Sequence, residues 1–321
     1  MQRVIRAVGY VLLLATATGL LGGVLVEPTD VSFARVGFTG SLVVAGAVTA
    51  AVERRATFDS LAATPLEPSD AADAFAVVGA AGLTYVLSVH ASFGPVLASA
   101  LVGVAAGVGT PDVDTAAYCG SFVGMASPTV FPSVGLVFAA GLVSGAAFVA
   151  ARESFVGFGG KLGTLALFGC STTGLLLGID YASTAGVQWG SAAITVPVAA
   201  VAAVTTAALS VRCGLGAVVG SALVGLVAGF TLPVVAPDVG GLLATVAFCA
   251  SFVGMSTRER LGSEARVGVA GGLCGLVFIL VAPAFAGAGG KLGTTAFISC
   301  LALAGTDRLV TRVGDRFGMS G

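Results

Sequence analysis

Phe155-Val156-Gly157-Phe158-Gly159-Gly160-Lys161-Leu162-Gly163-Thr164 recurs as Phe285-Ala286-Gly287-Ala288-Gly289-Gly290-Lys291-Leu292-Gly293-Thr294, with eight of ten positions identical at an offset of 130. Lys161 and Lys291 are the only lysines in the chain; the other thirteen cations are arginine. Lysine is a compact, strongly hydrated point charge and does not substitute for a planar guanidinium. The duplicated ammonium therefore marks one kind of place used twice. Two readings stay open here: a repeated structural loop whose lysines snorkel to the lipid surface, or a site that needs each lysine.

The surrounding chain is apolar. Of 321 residues 56% are hydrophobic and 10% charged, and the mean hydropathy is +1.03. A soluble domain is about a quarter charged, so the solvent of this chain is lipid. Forty-eight glycines fit that class, because small residues let membrane helices approach closely. A net charge of −1 and the absence of a basic run point away from nucleic acid. The six cysteines lie in apolar runs with no Cys-x-x-Cys, so they read as small buried hydrophobes and imply no metal or cofactor. Arg3 and Arg6 precede an apolar run of about 20 residues, too long for a signal-peptide core, which reads as a first membrane helix.

Apolar runs fall at 4–26, 35–52, 74–91, 93–109, 114–128, 133–151, 162–180, 190–210, 213–231, 239–256, 267–284 and 292–306. The expected class is an all-α integral membrane protein with about twelve transmembrane segments, of which 114–128 and 292–306 are short enough for half-helices. With a cytoplasmic N-terminus, every arginine except Arg35 falls on the inner side, as the positive-inside rule requires. This orientation makes both termini cytoplasmic and the plasma membrane the expected location.

A second phrase is also duplicated. Cys119-Gly120-Ser121-Phe122-Val123-Gly124-Met125 matches Cys249-Ala250-Ser251-Phe252-Val253-Gly254-Met255 at six of seven positions, and Ser99 to Gly103 matches Ser221 to Gly225 at an offset of 122. The expected organisation is an N-terminal helix pair and loop (1–73), one repeat (74–180), a second (190–306) and a tail (307–321). Five crossings per unit is odd, so the second repeat enters from the opposite side. Such inverted repeats place a substrate site near mid-membrane at their interface.

In that frame the lysine phrase dips back into the membrane, turns on Gly159 and Gly160, and begins a helix near Lys161, with Gly160 and Gly290 candidate site residues beside the two lysines. A helix start offers free N–H groups and a positive dipole end. Lys161, Lys291, Thr164 and Thr294 are then candidate donors. Ser121 and Ser251 are candidate pore hydroxyls, and Phe122 and Phe252 candidate constrictions. Helix packing through Gly124 and Gly254 explains the second phrase equally well. No carboxylate falls mid-segment, which disfavours a carboxylate-based pump, and His90 is the only histidine.

The five-plus-five arrangement, with Tyr118-Cys119-Gly120-Ser121-Phe122-Val123-Gly124 on a short segment, resembles the urea transporters, whose equivalent helix carries Tyr-Gly-x-Asn-x-x-Leu-Val-Gly. The resemblance covers the topology of 74–306; the family's Asn is absent here, and its pore helices do not show Gly-Gly-Lys-Leu-Gly-Thr. It implies a passive pathway for a small polar solute, urea-like or a small anion, through a chain that is not an enzyme and is compatible with a homo-oligomer. Membrane subunits of sodium-pumping quinone oxidoreductases are similar in fold but attach flavin at Ser-Gly-Ala-Thr, which this chain lacks. A membrane subunit without a pathway and, third, a lipid-modifying enzyme are the rival readings.

The orientation is testable. In a background without native cysteines, a cysteine at position 30 is expected to label from outside and one at position 60 only from inside.

Overall fold

The computed structural model describes residues 2–26, 33–59, 67–182 and 186–316; positions 30 and 60 lie outside the described residues. α1 (Gln2–Val26) and α2 (Phe33–Asp59) form an N-terminal pair. α3 (Pro68–Tyr85) continues into a π-turn (Val86–His90), then α4 (Gly94–Gly109), α5 (Asp114–Val123), α6 (Val134–Ala151) and α7 (Lys161–Leu177). A 3-10 turn (Trp189–Ser191) leads into α8 (Ala192–Ala207), a second π-turn (Ala208–Arg212), α9 (Ala217–Val235), α10 (Gly240–Gly254), the short α11 (Arg258–Leu261), α12 (Glu264–Val281) and α13 (Lys291–Arg316).

No strand occurs among the described residues. In lipid every backbone polar group must be satisfied within its own segment or by a close partner, which a helix achieves. Among the described residues, seven helical runs are long and apolar enough to cross a membrane: α1, α2, α3 with its π-turn, α6, α8 with its π-turn, α9 and α12. α4, α7 and α10 are shorter apolar helices.

The expected segments, about twelve with two of them short, take shape as helices of unequal kind. The run 114–128 shrinks to ten residues, about 15 Å, because Gly124 caps α5 and a turn follows. The run 292–306, expected to be short, instead continues through the 306/307 boundary to Arg316. Two things carry it onward. Thr49 of α2 donates to the Leu301 carbonyl at 2.8 Å, and Gly305 leaves no room for a side chain against the Ala45 carbonyl. Beyond them, Asp307 pairs with Arg266.

The loop expected between the runs 35–52 and 74–91 also differs from expectation. α2 runs to Asp59 and Pro68 opens α3, with 60–66 outside the described residues. Glu53 is buried within α2 and held by Arg260 at 2.7 Å and Arg308 at 3.8 Å. An acidic side chain inside a helix escapes a reading of apolar runs because its partners come from residues over 200 positions away.

Local geometry recurs at the sequence offsets. Ser133 and Ser263 are both N-caps, of α6 and α12, each accepting the N–H three residues on at 3.4 Å. Phe155 and Phe285 share positive φ, as do Gly160 and Gly290 at +81° and +85°. At the two glycines the left-handed turn ends the loop and opens α7 and α13. Crossing bonds tie the halves: the Thr257 N–H donates to the Gly157 carbonyl and the Ser127 N–H to the Gly287 carbonyl, both at 2.9 Å.

The starts of α7 and α13 meet backbone to backbone. A Cβ on Gly163 would lie 2.5 Å from the Gly293 Cα, and one on Gly293 2.6 Å from the Gly163 Cα. Only glycine fits, and dispersion between close backbones replaces the hydrophobic drive that lipid does not supply.

Gly293→Ala is expected to destabilise by about 1–3 kcal/mol through overpacking. Gly79→Ala, on an exposed α3 face with nothing within 4 Å of the new Cβ, should be neutral or stabilising by up to about 1 kcal/mol. Thermal unfolding in detergent distinguishes the two.

Candidate functional site: two lysine cavities and an aromatic barrier

Because α7 and α13 touch through glycines, their first side chains are directed away from the crossing. Lys161 lines a cavity of about 270 Å³ and Lys291 one of about 480 Å³. The linings correspond at the offset of 130. Met125, Thr245 and Phe278 in the larger cavity stand where Met255, Thr115 and Phe148 stand in the smaller. Ser88, from the first π-turn, lines only the larger. A third cavity, of about 610 Å³ between α1 and α7, includes Thr16, Asp180 and Tyr181 but neither lysine.

Phe122 and Phe252 line both lysine cavities. Their ring centres are 4.7 Å apart, Tyr118 packs on Phe122 at 4.5 Å, and Phe248 on Phe252 at 4.8 Å. Phe122 and Phe252 stand between the cavities, and the buried Tyr118 and Phe248, which line neither, pack behind them. Phe122 and Phe252, the candidate constrictions, are thus the rings that both cavities share. Tyr118 and Phe248 were missed as site residues, although each lies four residues before its partner and so shares its helix face.

The serines lie elsewhere. Ser121 and Ser251 are fully buried behind the rings and line neither cavity. Ser121 is 2.8 Å from Ser99, and Tyr118, Ser221 and Ser251 form a chain with contacts of 2.9 and 2.8 Å. They pin α5 and α10 to α4 and α9. Thr164 and Thr294 are also buried and donate to the Gly160 and Gly290 carbonyls of their own helices, both at 3.2 Å. Gly160 and Gly290 do reach the cavities with their lysines. Of the ten residues singled out by sequence, six meet at the cavities and four support them from behind.

Each ammonium has a main-chain partner. Lys161 Nζ donates to the Arg152 carbonyl at 3.1 Å and Lys291 Nζ to the Ala282 carbonyl at 2.5 Å. Arg152 and Ala282 are the C-caps of α6 and α12. A cation at the negative end of a helix is favourable, which offsets its unfavourable place at the start of the next. The bonds Cys119 Sγ to the Leu162 carbonyl at 3.3 Å and Cys249 Sγ to the Leu292 carbonyl at 3.2 Å hold α5 and α10 to those starts. Among the described residues no carboxylate lines either lysine cavity, and no cluster of three metal-ligating side chains occurs.

No family model, curated protein or solved structure matches this chain.

The hydroxyl chain is expected to couple α5 to α9. Tyr118→Phe and Ser221→Ala should each destabilise by about 1 kcal/mol. The double variant should cost less than their sum, as measured by unfolding in a double-mutant cycle.

Proposed function

We propose that the chain is a multi-pass membrane channel or facilitative transporter for a small polar solute or small anion. The observation that carries this reading is the pair of matching cavities, one lysine in each, that share Phe122 and Phe252 as lining residues with ring centres 4.7 Å apart. In this reading α3 to α7 and α8 to α13, the four-residue α11 set aside, are two inverted five-helix repeats behind an N-terminal pair, about twelve segments in all, and the α7 and α13 starts meet on their pseudo-twofold axis.

Orientation follows from charge. The Lys161 cavity is bordered by Arg152, and Arg260 stands over Phe158 in its wall, so it faces the cytoplasm under the positive-inside rule. The Lys291 cavity is bordered by Gly186 and Val187 and faces outward. Termini on the cytoplasmic side and a place in the plasma membrane complete the proposal.

The mechanism is passive. A solute entering either cavity meets an ammonium, apolar walls and a ring barrier, with no carboxylate among the lining residues to couple its passage to protons or sodium. Two fixed cations disfavour cationic cargo, and the rings favour a flat, small solute. The urea transporter resemblance agrees with that cargo class. The rival reading, a subunit without a pathway, is favoured by one observation: each lysine already bonds a helix C-cap, a role that needs no solute.

Lys161→Met and Lys291→Met, which keep the apolar stem, are expected to express near normally and to lower flux in proteoliposomes. Influx should be measured with urea and, separately, with a small monovalent anion. Current carried by the anion identifies a charged cargo and silent urea flux a neutral one. Transport of neither rejects the pathway.

A further inference from the structure

The two cavities match in lining but not in support. Arg260, in α11, donates from Nε to the Val156 carbonyl at 2.7 Å and from Nη1 to Glu53 Oε1 at 2.7 Å. Its guanidinium also lies 4.7 Å from the centre of the Phe158 ring. Val156, Gly157 and Phe158 form part of the Lys161 cavity wall. One side chain therefore joins that wall to α2. α1 grips the same segment: Tyr10 stacks on Phe155 at 5.2 Å and donates its hydroxyl to the Ala50 carbonyl of α2 at 2.7 Å, and Arg6 pairs with Glu153.

The other cavity is held differently: Tyr181 packs on Phe285 at 4.9 Å and the Ala182 N–H donates to the Ala286 carbonyl at 3.0 Å, and among the described residues no guanidinium joins its wall to α2. Val130 occupies the position 130 residues before Arg260, packs against Gly287 and carries no charge. Where α1 passes the second phrase, Gly23 lies against the Phe285 ring and the Ala284 methyl, apolar groups with no charge to pair. The N-terminal pair has no second copy, so it breaks the equivalence at one cavity.

We propose that the α1–α2 pair is a clamp on the Lys161 cavity, in which Glu53 acts through Arg260 as a positioning residue for the 155–160 wall. Glu53 is buried, and a buried carboxylate is held in place by the cations that pair it. Arg260 suits the task because its planar fork serves Glu53 and Val156 at once, and its face covers Phe158. Loss of Glu53 frees the guanidinium from α2 and lets the wall open without touching the lysine. The inference takes from the transport reading only that this cavity is a vestibule, and its test reads no flux.

The test uses thiol reactivity in lipid nanodiscs, where a water-soluble maleimide reaches both faces. Cys213, the exposed native cysteine, is changed to Ser. Met255→Cys then reports on the Lys161 cavity and Met125→Cys, its counterpart, on the Lys291 cavity. Glu53→Gln is expected to raise the Met255→Cys labelling rate about tenfold, the factor one charge-assisted hydrogen bond contributes to a local opening equilibrium. The Met125→Cys rate should stay unchanged. An unchanged Met255→Cys rate, or an equal rise at both positions, overturns the clamp. If Glu53→Gln does not fold, Arg260→Lys, which keeps the charge but loses the fork, is read in the same way. Failure of both variants to fold makes the contact purely structural and also overturns it.

Discussion

The direct backbone contact of Gly163 with Gly293 sets the position of everything around the candidate site. Because the α7 and α13 starts occupy the same crossing, neither can carry a side chain there, and left-handed turns at Gly160 and Gly290 are needed to bring them in. The lysines immediately following are directed outward into separate cavities. The aromatic wall on α5 and α10 then fills what remains between them. A larger residue at either glycine would separate the helices and displace lysines, cavities and rings together.

Electrostatics are arranged around the same crossing. Two helix starts with lysines at a low-dielectric junction would repel each other if nothing compensated them. The C-terminal ends of α6 and α12 supply that compensation through the Arg152 and Ala282 carbonyls. Formal negative charge is kept outside the cavities, in ion pairs such as Arg152–Asp70 and Arg260–Glu53. The two lysine cavities thus have donors without carboxylates, which is compatible with a passive route and gives a proton-coupled one no relay along their walls.

Much of this was legible in the chain itself. The repeated phrase located both lysines, both turns and both helix starts, because a positive-φ glycine and an apolar helix leave strong local signals. The rings at Phe122 and Phe252 were legible for the same reason. The serines and threonines were misplaced because a hydroxyl beside a helix start has equal sequence appearance whether it faces a cavity or the next helix. Ser121 turns to Ser99 and Thr164 to its own helix, choices made by packing across distant segments. Glu53 was read as a loop residue because nothing near it announces Arg260 or Arg308. The run 292–306 was cut short because hydropathy falls where α13 leaves the apolar layer, although the helix itself does not end.

The central claim is that the two cavities are solute vestibules on either side of one aromatic wall. A high-resolution density map of the protein in lipid nanodiscs, with the candidate solute present at high concentration, addresses it most directly. The account predicts ordered water or solute within hydrogen-bonding distance of Lys161 and of Lys291, and the Phe122 and Phe252 rings as the sole break between them. Acyl-chain density filling both cavities, with the ammoniums bonded only to their C-cap carbonyls, would contradict it.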